Sequence, residues 1–114
     1  MEKIKYTIKE MTEEERPQEK LLTLGPDVLT NAELLALIIR TGSKNLTSVE
    51  LCEKILRDLK LDNNPDLLSG LRTATMDKLT SIKGVGQAKA AMIMATLTLA
   101  ERINAVSILS LIHI

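Results

Sequence analysis

The sequence predicts an all-α fold, a compact bundle of roughly five or six helices, and three observations support this. Threonine is followed three residues later by glutamate at Thr12, Thr30 and Thr47, and each such pair is the signature of a capping box at a helix N-terminus. Of the 114 residues, 45% are hydrophobic but only 1% are aromatic, so the core must be built from aliphatic side chains. No stretch alternates between apolar and polar residues for long enough to predict a strand.

The first two predicted helices lie on either side of Gly25. The helix that begins near Pro17 is expected to end before Gly25, because glycine often occupies the position after a helix and the proline that follows cannot continue it. The second helix starts after Thr30 and is expected to end near Thr41, with Gly42 as its C-terminal glycine.

The second helix is so apolar that we expect it to form the buried centre of the fold. Its sequence, NAELLALIIRTG, leaves little polar surface. We place the centre of the core at Leu35, Ile38 and Ile39 and expect the long helix from Gln87 to close it.

The third predicted helix follows Thr47 and has one apolar face, on which lie Cys52, Ile55, Leu56 and Leu59. Cys52 is predicted to be a buried core thiol and not a nucleophile, because no histidine in the globular part is available to activate it. A turn of composition LDNNPD comes next. Two short helices follow, the second beginning after Thr75.

Two glycines one residue apart lie between the last two predicted helices. Helices joined so tightly need a residue with positive φ at the turn, which accounts for Gly84, while Val85 can fill the space between the helices. Gly86 precedes the N-terminus of the final helix, where backbone N–H groups and the helix dipole attract phosphate. A missing Cβ at Gly86 lets an anion come close. The predicted phosphate-binding residues are Lys83, Gly84, Val85, Gly86, Gln87 and Lys89.

Residues 79–93, LTSIKGVGQAKAAMI, resemble the helix-hairpin-helix motif of proteins that bind DNA without sequence specificity. Over residues 12–103 the chain resembles the N-terminal domain of the bacterial RadC family, which is historically linked to DNA repair. The resemblance implies a fold similar to the second domain of RuvA, and binding to DNA. It also implies a C-terminal metal-dependent domain of the JAB/MPN type, whose His-x-His pattern is absent from this sequence.

The chain accordingly divides into an N-terminal arm (residues 1–11), a helix-hairpin-helix domain (residues 12–104) and an apolar tail (residues 105–114). The tail is too apolar for a solvated terminus. We expect it to be ordered by helix packing or by contact with a second copy of the chain, which would make a homodimer. A foreign end of the chain is the remaining alternative.

A second, degenerate hairpin is one interpretation of the stretch RTGSKNLTSVE, and a plain loop is the other. The stretch carries two basic residues and no acid before the helix that follows Thr47, but it lacks the second glycine of the motif. As a hairpin it would offer further DNA contacts from Arg40, Gly42, Ser43, Lys44 and Thr47.

Charge and composition favour weak binding to the phosphates of duplex or branched DNA. The formal net charge is zero, which argues against histone-like electrostatics, yet residues 67–100 hold four basic residues against one acid. Single-strand binding usually needs aromatic platforms, and the sequence has almost none. The alternative is a helical module that binds or dimerises with protein and does not bind DNA, its hairpin serving only for packing.

No enzymatic activity, cofactor or metal is expected. The sequence has no nucleophile with a matching base and no phosphate loop, and the lone His113 cannot form a zinc site. A single cysteine excludes an internal disulfide. With no targeting signal and no segment long enough to span a membrane, the sequence predicts a cytoplasmic protein without membrane contacts.

Overall fold

The computed structural model describes residues 16–112, and these residues form six α-helices with no strand among them. The predicted all-α fold is therefore confirmed. The helices are α1 (Arg16–Leu24), α2 (Asn31–Ile39), α3 (Ser48–Leu59), α4 (Ser69–Arg72), α5 (Met76–Thr80) and α6 (Gln87–Ile112), with a single 3-10 turn at Pro26–Val28. The predicted capping box at Thr12, the arm of residues 1–11 and His113 lie outside the described residues.

Helix α1 ends as its sequence predicts and is tied to α2 by an ion pair. Gly25 has a φ of 90° and donates its N–H to the carbonyl of Leu21 at 3.0 Å. The Lys20 ammonium lies 2.9 Å from the carboxylate of Glu33, in a partly buried position. Glu33 also accepts a hydrogen bond of 3.0 Å from the N–H of Thr30, so one carboxylate joins α1 to the start of α2.

Helix α2 is the centre of the bundle and packs against α1, α3 and α6. Its N-terminus carries the predicted capping box, with the Thr30 hydroxyl accepting from the N–H of Glu33 at 3.1 Å. The buried side chains of α2 are Ala32, Leu35, Ala36 and Ile39. Of the three residues predicted at the core centre, Leu35 and Ile39 are buried, and Ile38 packs at the edge of the core.

The predicted C-terminus of α2 is wrong by two residues. The helix ends at Ile39, and Arg40, not a glycine, adopts a positive φ of 69°. Gly42 instead lies in the following loop, where a Cβ would overlap the carbonyl oxygen of Leu46. Position 42 is thus a glycine because the backbone at Leu46 comes too close for a side chain, and not because the helix ends there.

Helix α3 presents its predicted apolar face to the core. Cys52 and Ile55 are fully buried, Leu59 is buried and Leu56 packs against the edge of the core. Thr47 and Glu50 form the capping box at its N-terminus. Cys52 is thus a core side chain, as predicted.

Helix α6 belongs to the core only in its first half. Ala90 and Ile93 are fully buried against the other helices. Farther along, Leu99, Ile103 and Val106 are exposed, so the second half of α6 extends beyond the bundle. The helix runs without a break across the predicted boundary between residues 104 and 105. Intramolecular packing, one of the two expectations for the tail, is not observed at Val106, Leu111 or Ile112, which are exposed.

The carboxylate of Glu33 makes the stability of the bundle depend on pH. Burial raises the pKa of Glu33, but the hydrogen bonds from Lys20 and Thr30 outweigh it and hold this pKa below its ordinary value of 4.5. A carboxyl group with a lowered pKa stabilises the fold above its unfolded pKa, and this contribution is lost as the pH falls through the folded pKa.

We therefore expect Glu33→Gln to lower the free energy of unfolding at neutral pH by roughly 0.5–2 kcal/mol, since the cap and the ion pair are both weakened. The difference from the parent should shrink as the pH falls below the unfolded pKa of about 4.3 and then through the lower folded pKa. Urea unfolding of the parent and of Glu33→Gln between pH 7 and pH 3 measures this difference in the free energy of unfolding. Glu101→Gln, at an exposed site on α6, is the matched control. An equal loss of stability at pH 7 and pH 3 would contradict the stabilising role of the ionised Glu33 carboxylate.

Candidate nucleic-acid interface

We refer to residues 83–86, in the turn between α5 and α6, as the hairpin. Two successive hydrogen bonds close it, from Ile82 N to Leu79 O at 3.1 Å and from Val85 N to Ile82 O at 3.0 Å. Gly84 has a φ of 98°, a conformation that L side chains rarely adopt. Val85 is buried, so it fills the space between the helices.

Gly84 also has a packing role that the sequence does not reveal. A Cβ at this position would lie 3.0 Å from the Cβ of Ser43 and 3.1 Å from the Cδ1 of Leu51. The hairpin therefore rests directly on the loop that precedes α3. A side chain at position 84 would strain the turn and also separate these two segments.

The N-terminus of α6 is open, in contrast to the starts of α2, α3 and α5. Threonine hydroxyls cap α2, α3 and α5, at Thr30, Thr47 and Thr75. Helix α6 begins after Gly86, which has no side chain to accept from the first N–H groups, and a Cβ built there would meet no atom within 4 Å. The first backbone hydrogen bond of the helix runs from Ala90 to the Gly86 carbonyl at 3.0 Å. The N–H groups ahead of Ala90 are thus available to an anion.

The two lysines that flank the hairpin are placed differently. Lys83 is exposed, and no ion pair involves it within residues 16–112. The ammonium of Lys89 is partly buried and donates to the carbonyl of Gly42 at 2.6 Å and to that of Gly84 at 3.4 Å. Lys89 therefore joins the loop before α3 to the hairpin, whereas Lys83 faces outward.

The second candidate stretch is brought next to the hairpin, but only part of it faces the same groove. Ser43 and Lys44 line a groove together with Lys83 and Gly84. Arg40 points instead to α1, where its guanidinium donates to the Oε1 of Gln18 at 3.1 Å.

The start of α3 is a less favourable phosphate site than the start of α6. The Thr47 hydroxyl already accepts from the N–H of Glu50 at 3.2 Å. The carboxylate of Glu50 accepts in return from the N–H of Thr47 at 3.0 Å, which places a negative charge at this helix end. Both groups occupy positions that a phosphate would need.

One basic residue at the hairpin was missed by the sequence analysis. The ammonium of Lys54, on α3, donates to the carbonyl of Lys83 at 3.4 Å and lines the same groove as Lys44. Lys54 lies 29 positions before Lys83 in the sequence. No local pattern in the sequence indicates this contact.

Between residues 16 and 112 no group of three or more histidine, cysteine or acidic side chains could hold a metal ion. Over the same part of the chain, no helix combines the length and apolar character needed to cross a membrane.

Comparison with known proteins identifies the family. The family described as UPF0758 N-terminal matches residues 8–91, which is most of the chain. The chain belongs to the UPF0758 family. UPF0758 is the N-terminal region of RadC-like proteins, so the predicted resemblance to that family is confirmed.

Similar UPF0758 proteins occur in bacteria and archaea. The chain is 44% identical to one from Alkaliphilus oremlandii over 98 residues, which cover 86% of this chain and 40% of that protein. It is 42% identical to one from Methanosarcina acetivorans over 104 residues, covering 91% of this chain and 42% of that protein. The chain therefore spans about two fifths of the length of these relatives. No solved structure matches the chain significantly, so the similarity to RuvA stays a prediction.

The geometry of Lys89 predicts that its ammonium stabilises the fold. We expect Lys89→Met to lower the free energy of unfolding by roughly 1–3 kcal/mol, because the partly buried carbonyl of Gly42 loses its donor. Lys83→Met removes the same charge at an exposed site and should change stability by less than about 0.5 kcal/mol. Urea unfolding compares the two variants. If they have equal free energies of unfolding, the hydrogen bond from Lys89 to Gly42 does not stabilise the fold.

Proposed function

We propose that this chain is a DNA-binding module of a RadC-like DNA repair protein, which contacts backbone phosphates through the hairpin of residues 83–86. The single observation that carries the proposal is the open N-terminus of α6 at Gly86. A Cβ built at Gly86 would meet no atom within 4 Å, and Ala90 donates the first backbone hydrogen bond of the helix, so the N–H groups before it are left for a ligand. A phosphate oxygen is the kind of acceptor that such a helix end binds.

The charges around the hairpin support an anionic ligand. Lys44, Lys54 and Lys83 line one groove with Gly84, and no acidic side chain lines it with them. Lysine ammonium groups attract phosphate as point charges and impose little geometry on it. Lys83 is the one charged side chain of the hairpin, and a contact from its ammonium to a phosphate carries no sequence information, so the proposed binding is not sequence-specific.

Duplex or branched DNA is the proposed partner. The chain has almost no aromatic residues on which unpaired bases could stack, so single strands are expected to bind more weakly. The role is binding without catalysis, and we propose that it is carried out in the cytoplasm. Lys89 acts in this scheme mainly by holding the hairpin in place, and the direct phosphate contacts come from Lys83 and from the N–H groups at Gly86, Gln87 and beyond.

Gly86→Asp separates ligand binding from folding. Aspartate is a good N-cap residue, so its carboxylate should accept the N–H groups that a phosphate would use and should also repel the phosphate. We expect affinity for a duplex of about 20 base pairs to fall at least about tenfold. The free energy of unfolding should stay within about 1 kcal/mol of the parent's.

Two further variants control for charge and for strain. Asn104→Asp adds the same charge to the exposed half of α6 and should leave binding nearly unchanged. Gly84→Val should lose stability together with binding, by roughly 1–2 kcal/mol or more, because φ is positive there and the site is packed. Fluorescence anisotropy at two salt concentrations measures the affinity. If Gly86→Asp binds duplex DNA as tightly as the parent, the proposed phosphate site is refuted.

Self-association is the second candidate function, and the exposed face of α6 supports it. Leu99, Ile103 and Val106 follow one another at spacings of four and three residues and are 58–64% exposed. A stripe of this spacing is typical of a helix that packs against another helix. We propose that its partner would be a second copy of the chain, in line with the homodimer expected from the apolar tail.

Replacing Leu99 and Val106 together by glutamate tests self-association. If the stripe joins two copies, the double variant should sediment as a monomer under conditions where the parent is a dimer, because two charges would be buried in each half of the interface. Glutamate at Thr98 and Ala105, seven residues apart on the neighbouring stripe, is the matched control. A parent that sediments as a monomer at high micromolar concentration would exclude the dimer.

A further inference from the structure

Four lysines surround a second concave surface behind the hairpin. We call it the lysine cleft, and its basic residues are Lys54, Lys60, Lys78 and Lys83. The cleft lies between the C-terminal end of α3 and the segment from α5 to the hairpin. Leu59 and Ile82, both buried, also line it. Asp58 is its one acidic lining residue.

The positive charge of the lysine cleft is not neutralised by ion pairs. None of the ion pairs within residues 16–112 includes any of the four lysines. The carboxylate of Asp58 lies 4.0 Å from the guanidinium of Arg57, so part of its negative charge is already balanced by Arg57. Since like charges repel when they converge on one surface, four unpaired ammonium groups leave a site that an anion would stabilise.

The lysine cleft adjoins the groove at the hairpin. Lys54 and Lys83 line both surfaces, and Lys54 donates to the backbone of Lys83 between them. Basic side chains therefore follow one another from Lys44, through Lys54 and Lys83, to Lys60 and Lys78. An extended polyanion can meet such a series of charges at several points, whereas a single small anion would engage only a part of it.

We propose that the lysine cleft binds further phosphates of the same DNA that the hairpin holds, so that the footprint of this domain extends from the N-terminus of α6 across the end of α3. This inference rests on the proposed function and enlarges its site by Lys54, Lys60 and Lys78. An open cleft lined by lysines, with no aromatic side chain and no arginine fork, suits a flexible phosphodiester backbone.

The double variant Lys60→Ala/Lys78→Ala tests the lysine cleft, because these two residues line the cleft and not the groove at the hairpin. Binding to a duplex of about 20 base pairs is measured between low and high salt. Each lost phosphate contact reduces the slope of log K against log salt by about 0.9, so we expect a reduction of roughly 1.8. Arg72→Ala/Arg102→Ala removes the same charge at exposed positions outside the cleft and should reduce the slope much less.

The outcomes distinguish this inference from the proposed function. An unchanged slope in Lys60→Ala/Lys78→Ala, with binding lost in Gly86→Asp, would overturn the lysine cleft alone. If neither variant changes DNA binding, both proposals fail. The same two variants are titrated with a polyglutamate peptide as a non-nucleic polyanion. A loss of peptide binding with an unchanged DNA slope would assign the cleft to an acidic protein partner and overturn the DNA proposal for it.

Discussion

The hydrogen bond from the Lys89 ammonium to the Gly42 carbonyl, 2.6 Å long, joins the first turn of α6 to the loop before α3. Every other feature of the candidate site depends on how these two segments meet. The bare backbone of Gly84 lies against Ser43 and Leu51 at the same junction. Because the loop and the hairpin are held together here, Lys44, Lys54 and Lys83 converge on one groove although they come from three separate parts of the chain.

The starts of α2, α3 and α5 differ from the start of α6 in how their first N–H groups are satisfied. Where α2, α3 and α5 begin, a threonine satisfies the backbone internally, and α2 and α3 add a glutamate. Where α6 begins, Gly86 leaves the N–H groups uncapped. A residue that capped α6 would stabilise the helix, so the glycine gives up stability that the chain obtains at α2, α3 and α5. Such a sacrifice is expected at a functional site, where local stability and ligand access compete.

Local signals in the sequence predicted the helices and the tight turn at Gly84 well, because these features are determined by neighbouring residues. The capping boxes at Thr30 and Thr47, the buried face with Cys52 and Ile55, and the positive φ of Gly84 all depend on interactions within a few positions. The end of α2 was misplaced for the same reason. Gly42 is a local signal for the end of a helix, but Arg40 adopts the positive φ and Gly42 is required by contact with Leu46.

Contacts between distant residues could not be predicted in this way. Lys89 meets a carbonyl 47 positions away, and Lys54 meets one 29 positions away. No periodicity or motif in the sequence indicates these side chain–backbone contacts. The sequence indicates which residues carry charge, but their roles follow from the packing of α3 against the hairpin. For that reason Lys89 was expected to flank a phosphate, and Lys54, Lys60 and Lys78 were not singled out at all.

The central claim is that the open N-terminus of α6 is the point where this domain meets a phosphate. The most direct test is a two-dimensional amide NMR titration of the chain with a short DNA duplex. The account predicts that the largest shifts occur at the N–H groups of Gly86, Gln87 and Ala88, with smaller ones at Lys44 and Lys83, and that salt reverses them. Shifts confined to the exposed half of α6, or none at the amides of residues 86–88 when DNA is bound, would contradict it.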